Sequence, residues 1–355
     1  MSDSSGPAPP RPRRLWLYLP VLGLLVAAIG WTGFWFFAAD KINQRLDAWL
    51  EEERQLGHDW TCGHRTLTGF PFRIEFSCDQ PVYRADSDFG AVEGKAAALH
   101  AVALAYQPDR VITEIEGPLT VRTVDGQRQL RLEWTSARFS LTQLLGHDPR
   151  LDADIAMPVM TSALGKTAGH AATASNLQVH VRRTPGRPAS DRALDAALSV
   201  SQLTSATLDG LAGSNSPADL SAQVVLTQVH AGQDLTLAEW LEIWRRAGGQ
   251  VDLSAFSLAK GPMRLAGQGQ FSLDGQHRMQ GQIAVNAAGM EPVLTRFGVP
   301  SGMVNVGGLL SGLLGGGSAK AAPPPGDGVK LALKLDKGGV FLGPLRLPVT
   351  LLPLY

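Results

Sequence analysis

The hydrophobic and polar positions divide the chain into a helical start and a long region of alternation. Residues 15–37 carry no charge, and at about 1.5 Å per residue such a run can cross a hydrocarbon core of about 30 Å. Apolar positions then keep the 3.6-residue period to Leu56, and Gly57 supplies a stop, which predicts a juxtamembrane helix within 38–57. Beyond it apolar and polar residues alternate, which predicts β-strands.

Three pairs of strand-like segments place their apolar residues on one face. Two-residue loops at Asp125-Gly126 and Lys337-Gly338 align apolar residues across each hairpin. At Asp274-Gly275 we predict a three-residue loop that opposes residue 271 with 277 and residue 269 with 279. One apolar and one polar face indicate an antiparallel sheet covered on one side. The predicted apolar face comprises Val121, Leu130, Leu132, Trp134, Leu265, Phe271, Met279, Ile283, Val285, Leu333, Leu335 and Leu342.

Other segments complete the predicted organisation. Residues 111–116, 176–182 and 220–229 are further strand candidates, and 235–247 is an amphipathic helix with Trp240 and Trp244 on its apolar stripe. A shorter helix is predicted at 291–297. Residues 298–328 are rich in Gly and Pro, which favours a flexible linker over a segment that covers a groove. We predict a mainly β (α+β) extracytoplasmic domain over 58–355, built as an elongated, curved, groove-like or taco-like antiparallel sheet.

Basic residues precede the apolar run. Because Arg11, Arg13 and Arg14 come before it, the positive-inside rule makes residues 1–14 a cytoplasmic tail and puts the rest outside. A cleaved signal peptide is the alternative; the run is long for one, and Phe36 and Phe37 stand where small residues are expected. We predict a single-pass membrane protein whose bulk is extracytoplasmic, which in a Gram-negative bacterium means an inner-membrane anchor and a periplasmic domain.

The two cysteines, Cys62 and Cys78, flank the turn signal Gly69-Phe70-Pro71. Both are equally distant from Phe70 in sequence, so a hairpin centred there would place them opposite each other, within reach of a disulfide. The alternative is a metal site, but its spacing matches no standard zinc pattern. Its ligands would be His58, Cys62, His64 and Cys78.

Composition and motifs narrow the chemistry. Lys+Arg and Asp+Glu both number 32, so no net charge attracts nucleic acid. Only 18% of residues are charged, which leaves much apolar surface to cover. The eight histidines are scattered, and metalloprotease, nucleophile-elbow and Walker motifs are absent. We therefore predict no catalytic residue, no cofactor and no metal ligand.

The stretch from Trp49 to Cys78 resembles a bacterial envelope family called domain of unknown function 2125, found mostly in alphaproteobacteria. Its most specific part is Gly69, Phe70, Pro71, Phe72 and Arg73 with the flanking cysteines, and the resemblance spans nearly the whole chain. Residues 249–294 and the C-terminal end are also similar to the C-terminal hairpins of AsmA-like envelope proteins. In that group, long twisted sheets with an apolar groove are associated with phospholipid passage or outer-membrane assembly. The first family has no established activity, so the resemblance implies an architecture and transfers no functional residue.

These observations lead to one expected function and two alternatives. The expectation is a non-enzymatic envelope factor whose apolar sheet face binds or conducts lipid acyl chains. The first alternative is a structural or assembly factor that docks envelope proteins through sheet edges or the helix of Trp240 and Trp244. A hydrolase with a site assembled from loops is the second. For each apolar face, an ordinary covered core is the competing interpretation.

Overall fold

The structure is a computed structural model that describes residues 18–87, 90–144, 146, 148–164, 167–230, 235–290, 329–342 and 345–355. These residues contain the helices α1 (Leu19–Gln55), α2 (Ala206–Ala212) and α3 (Leu237–Arg246). They also contain 22 strands: β1 (Asp59–Thr61), β2 (His64–Thr68), β3 (Arg73–Asp79), β4 (Val82–Ser87), β5 (Gly90–Lys95), β6 (Ala98–Leu104), β7 (Gln107–Glu116), β8 (Leu119–Thr123), β9 (Arg128–Glu133), β10 (Ser136–Thr142), β11 (Arg150–Ala156), β12 (Val159–Leu164), β13 (Thr167–Thr173), β14 (Asn176–Arg183), β15 (Leu194–Ser205), β16 (Ala218–Leu226), β17 (Val251–Lys260), β18 (Met263–Leu273), β19 (Met279–Ala288), β20 (Val329–Asp336), β21 (Gly339–Leu342) and β22 (Leu345–Thr350).

The helix α1 runs without interruption through the apolar run and into the polar segment after it. Pro20 lies in its first turn, where the missing N–H needs no partner. Its window of highest mean hydropathy reaches 1.9, and it is the one helix among the described residues that is long and apolar enough to cross a membrane. A signal sequence near the N-terminus can meet the same criteria of length and composition.

The strands form a single large, open antiparallel sheet, which confirms the predicted fold class. Up to β15, successive hairpins along the chain belong in turn to one and then the other of two halves of this sheet. The shorter half is β1, β4, β5, β8, β9, β12 and β13 in ladder order. The longer half begins with β2, β3, β6, β7, β10, β11, β14 and β15 and continues in chain order to β22. Because β15 pairs with both β13 and β14, it joins the halves.

The chain crosses between the halves through short breaks. Each break has two residues, at 62–63, 80–81, 96–97, 117–118, 134–135, 157–158 and 174–175. Neighbouring breaks bond to each other: the amide of Gln80 donates to the Ala97 carbonyl, and that of Met157 to Ser175, each at 2.9 Å. The breaks therefore form a continuous line, here called the crease. Gln80 and Met157 have φ of 48° and 52° there, which redirects the chain into the other half.

The predicted registers were right for two hairpins and wrong for one. Val121 pairs with Leu130 in the first, and Leu335 pairs with Val340 in the third. In the second, Leu273 pairs with Met279 and residue 271 with Gly281, so the loop has five residues rather than three. The Asp274 carboxylate explains this longer loop, because it accepts hydrogen bonds from the amides of Gln276 and Arg278 and from the Arg278 guanidinium.

Cys62 and Cys78 form the predicted disulfide, with a Cα–Cα distance of 5.5 Å. The predicted alignment of the two cysteines within one ladder was wrong. Arg65 is the ladder partner of Cys78, and Cys62 lies in the first break of the crease. The turn is centred after Pro71 rather than on Phe70, because Thr68 pairs with Glu75. The bond therefore fastens the first crossing of the chain to β3.

Several sequence predictions fall elsewhere or outside the described residues. The predicted helix 235–247 corresponds to α3, whose N-cap Thr236 forms a capping box with Glu239. The short helix α2 was missed. The predicted tail 1–14, helix 291–297 and linker 298–328 lie outside the described residues, and the domain boundaries stay predictions.

Candidate functional site

One side of the longer half carries no charged side chain along three rows that run from strand to strand. In each row, residues directly opposite one another belong to successive neighbouring strands. The middle row is Phe76, Ala101, Thr113, Phe139, Ala153, Val179, Leu198, Ala222, Phe256, Gly267 and Val285.

Two further rows flank it, one toward the crease and one toward the hairpin turns. The crease row is Cys78, Leu99, Ile115, Ala137, Ile155, Leu177, Val200, Leu220, Leu258, Leu265 and Ala287. The outer row is Ile74, Ala103, Val111, Leu141, Leu151, Val181, Ala196, Val224, Leu253, Gly269, Ile283 and Leu333. At about 4.8 Å between strands, the outer row extends about 50 Å. The three rows together are called the uncharged face.

The opposite side of the same strands is polar, and its groups pair across strands. His180 Nδ1 lies 2.6 Å from Asp152 Oδ1, Arg182 Nε lies 3.1 Å from Asp195 Oδ2, and the Gln178 amide donates to Asp154 at 2.8 Å. Many side chains on this side are exposed, whereas those of the uncharged face are half-buried or, as with Ala137 and Val200, buried. The alternation predicted from sequence therefore persists far beyond the three hairpins in which it was recognised.

The uncharged face lacks the complete burial of an ordinary core. Phe76, Phe139, Leu198 and Phe256 are all only half-buried. Among the described residues, the largest side chain that is fully buried is Lys260. A domain of this size normally encloses many large apolar side chains. The described residues therefore leave this side of the sheet open to whatever lies in front of it.

The residues predicted for the apolar face are divided between the halves. Val121, Leu130 and Leu132 belong to the shorter half, and Trp134 lies in a break, where its indole donates to the Ile115 carbonyl at 2.8 Å. The others belong to β18–β21 at the C-terminal end of the longer half: Leu265, Phe271, Met279, Ile283, Val285, Leu333, Leu335 and Leu342. Sequence reasoning missed the contribution of β3–β17, where Ala and Thr interrupt the apolar signal.

A cluster of charges lies in the shorter half. The Glu93 carboxylate is nearly buried between Lys95, Arg122 and Arg84, at 3.0, 2.7 and 3.0 Å. Hydrogen bonds from Lys95, then Arg122 and Arg84, lower the pKa of Glu93 to about 2. The three cations surround one carboxylate and hold β4, β5 and β8 together. The cluster is therefore explained by its role in the sheet.

The helix α3 is fastened to the turn side of the sheet. The indoles of Trp240 and Trp244 donate to the carbonyls of His230 and Thr227, at 2.9 and 2.7 Å. Trp244 is 4% exposed and Trp240 is half-buried, so little of this tryptophan pair is available for docking. Glu242 accepts a hydrogen bond from the Tyr355 hydroxyl at 2.9 Å.

The hairpin β2–β3 lies along α1. Trp31 Nε1 donates to the Pro71 carbonyl at 2.8 Å, and Trp35 Nε1 donates to the Arg73 carbonyl at 2.9 Å. Phe70 packs edge-on against Trp35, with ring centroids 5.6 Å apart. Gly69 has φ of 108°, and a Cβ atom there would approach the Arg73 carbonyl oxygen to 2.7 Å, so this turn requires glycine. The predicted turn motif therefore meets the apolar part of α1.

Candidate chemistry is sparse. Within the described ranges, no group of three or more His, Cys, Asp or Glu residues could hold a metal ion. Ser77 Oγ lies 3.1 Å from His100 Nδ1, and His100 Nε2 lies 3.6 Å from Glu116 Oε1. This arrangement has the order of a hydrolytic triad, but its residues lie on the polar side of three neighbouring strands, where His100 is the ladder partner of Ser77 and Glu116 lies two residues beyond the partner of His100. The backbone amides of such strands are engaged in the ladder and cannot form an oxyanion hole.

Comparison with known protein families gives a match over most of the chain. The model of a family described as uncharacterized protein conserved in bacteria (DUF2125) matches residues 35–349. No curated protein and no solved structure matches the chain. The expected likeness to AsmA-like proteins therefore stays a prediction.

Proposed function

Because the chain belongs to DUF2125, a bacterial family whose description assigns no activity, we propose its function from the structure alone. The protein is anchored in a membrane by α1, and its uncharged face binds or conducts lipid acyl chains. The observation that carries this proposal is a row of twelve uncharged residues, one from each of twelve neighbouring strands, that the described residues leave half-buried. Hydrocarbon is the partner that such a surface fits, because a charge in contact with it would be costly.

The contacts of α1 support a retained anchor over a cleaved signal peptide. Trp35 is 5% exposed because the turn of the β2–β3 hairpin packs on it. Removing α1 would uncover this turn and leave the carbonyls of Pro71 and Arg73 without their indole donors. By the positive-inside rule, Arg11, Arg13 and Arg14 keep the N-terminus in the cytoplasm, which places the sheet in the periplasm.

Photo-crosslinking with matched sites tests lipid binding. We would introduce p-benzoylphenylalanine in place of Phe139, in the middle row, or of Arg138, its neighbour on the polar side of β10. The full chain is expressed in bacteria, irradiated and analysed by mass spectrometry. We expect lipid adducts at position 139 and none at 138. Absence of lipid at both positions would contradict the proposal.

A charge placed in the uncharged face provides a second test. Val179→Lys puts an ammonium in the middle row, and Gln178→Lys puts the same group on the polar side beside Asp154. Both variants should fold, and Val179→Lys should retain severalfold less co-purified lipid. If Val179→Lys instead unfolded while Gln178→Lys did not, the face would be a sealed core and the proposal would be wrong.

The free strand edge favours a second candidate function, protein docking in envelope assembly. Within the described residues, β22 pairs only with β21 and leaves its other edge open for another strand. Val349 in β22 is exposed and accepts the same photo-crosslinker. A stoichiometric protein adduct there, without lipid at position 139, would favour assembly over lipid binding.

A hydrolase is the third candidate and the least supported one, because the strand amides around Ser77, His100 and Glu116 are engaged in the ladder. Turnover of an ester substrate by the purified chain that Ser77→Ala abolishes would support it. A broad substrate screen without turnover would contradict it.

A further inference from the structure

We infer that the turn between β2 and β3 enters the same membrane leaflet as the C-terminal half of the apolar run in α1. This inference rests on the proposed membrane anchoring and adds a second membrane contact, with acyl chains as the partner. The turn is residues 69–72, and it meets α1 at Trp31 and Trp35.

The depth follows from helix geometry. The uncharged run ends at Phe37, and Trp31 precedes that residue by six positions, which is about 9 Å along a helix. Its indole donates to the Pro71 carbonyl, so the tip of the turn lies about one and a half helical turns inside the apolar run. Asp40, the first charged residue after the run, is about 13 Å from Trp31 along the helix axis.

The turn carries the side chains that such a depth requires. Phe72 is 63% exposed and Phe70 is 48% exposed, and residues 66–72 contain no charged side chain. Arg73, the first charge after the turn, pairs with Glu75 at 3.2 Å, farther along β3. Phe36 stacks on Phe70 at 5.8 Å, so turn and helix present one continuous apolar surface.

Three of the four carbonyls of the turn are paired with protein groups. The Gly69 carbonyl accepts from the Arg73 amide, Pro71 has no N–H, and the Phe72 carbonyl accepts from the Ala105 amide at 2.9 Å. The indoles of Trp31 and Trp35 donate hydrogen bonds to the carbonyls of Pro71 and Arg73. An irregular segment can enter hydrocarbon only when its polar backbone groups are paired with protein. The indoles of Trp31 and Trp35 meet that condition for two of the carbonyls.

The next hairpin turn extends this surface. Ala105 belongs to the connection between β6 and β7, and its bond to Phe72 holds the two turns side by side. Tyr106 is 66% exposed, and its hydroxyl suits the headgroup level at which tyrosines gather. Both turns lie at the N-terminal end of the uncharged face, which places that end at the bilayer.

Depth-dependent quenching tests the inference. The full chain carrying Phe72→Cys is labelled with bimane, with the native disulfide intact, and reconstituted in vesicles of phosphatidylethanolamine and phosphatidylglycerol. The control is Gln127→Cys, in the exposed turn of β8 and β9. We expect doxyl-labelled lipid to quench the label at 72 and not at 127, and iodide to quench the label at 72 at least about fivefold less than that at 127. Tyr106→Cys is the second site, with quenching from a shallower doxyl position.

Equal iodide quenching at positions 72 and 127, without quenching by doxyl lipid, would overturn the inference. A carbonate wash separates this failure from that of the proposed anchor. Protein that stays with the vesicles and shows a water-exposed label at 72 contradicts the inference alone. Protein that washes off contradicts the anchor and the inference together.

Discussion

Asp209→Ala tests how α2 is held against the sheet. Lys260, at the end of β17, is 1% exposed, and its Nζ lies 2.5 Å from Asp209 Oδ1 and 2.6 Å from the Ser216 carbonyl oxygen. Asp209 belongs to α2, so this ion pair ties the helix to the strand ends near the crease. The substitution leaves a buried ammonium whose carboxylate partner is gone.

The magnitude follows from burial. Removing one partner of a buried ion pair costs about 3–5 kcal/mol. Because α2 has seven residues, it can detach locally and let water reach Lys260, which limits the loss to the lower end of that range. We expect a loss of about 3 kcal/mol and amide exchange in residues 206–212 faster by about 100-fold.

Hydrogen exchange measured by mass spectrometry on the full chain in lipid nanodiscs is the assay. The matched control is Asp336→Ala, which removes a carboxylate from an exposed pair with Lys334 at 3.2 Å and should cost less than about 1 kcal/mol. The double variant Asp209→Ala/Lys260→Met should recover much of the loss, because no charge is then buried. If Asp209→Ala accelerated exchange no more than Asp336→Ala, the ion pair would not hold α2.

Three further predictions concern other parts of the sheet. Replacing Cys62 and Cys78 by alanine should lower the free energy of unfolding by about 3 kcal/mol, measured by denaturant titration, because the bond closes a loop with a separation of 16 residues. Hydrogen bonds from Arg245 and then Tyr355 lower the pKa of Glu242, so its stabilisation is present above the usual glutamate pKa of 4.5 and lost as the pH falls below it. The protection of the amides in residues 351–355, corrected for the intrinsic exchange rate at each pH, should therefore fall in acid. Gly281→Ala should destabilise by at least about 2 kcal/mol in thermal unfolding, because a Cβ there would overlap the Gln270 carbonyl, whereas Gly275→Ala, with no atom within 4 Å, should not.

The sequence predicted the features of the fold that depend only on which side of a strand each residue lies, that is, on whether its position is odd or even. In the second hairpin the register moved by four residues, yet Phe271 and Ile283 still share a face, because an even shift preserves the side on which a residue lies. The same reasoning misplaced Cys62. This residue lies in a two-residue break of the crease, outside β2, and the alternation of side-chain directions does not continue through such a break.

The crossings between the halves could not be predicted, because they depend on pairing between distant residues. A two-residue break such as Trp134-Thr135 looks like the continuation of a strand, and only the ladders β9–β12 and β10–β11 show that the chain changes halves there. The extent of the uncharged face was missed for a related reason. Neither Ala101 nor Thr113 is strongly apolar, and Ala101 is also a poor strand former; both join the face through their ladder neighbours.

The absence of charge from the uncharged face distinguishes lipid binding from protein docking more sharply than the apolar character of that face does. A surface that docks proteins is on the whole about as apolar as the rest of a protein and has a polar rim, so it does not require a charge-free row across twelve strands. Nor does folding require it, because a charge on a half-exposed sheet position costs little stability. Hydrocarbon does require it, since one ammonium beside an acyl chain has no partner. Val179→Lys separates these explanations, because it should spare folding and protein docking but not lipid.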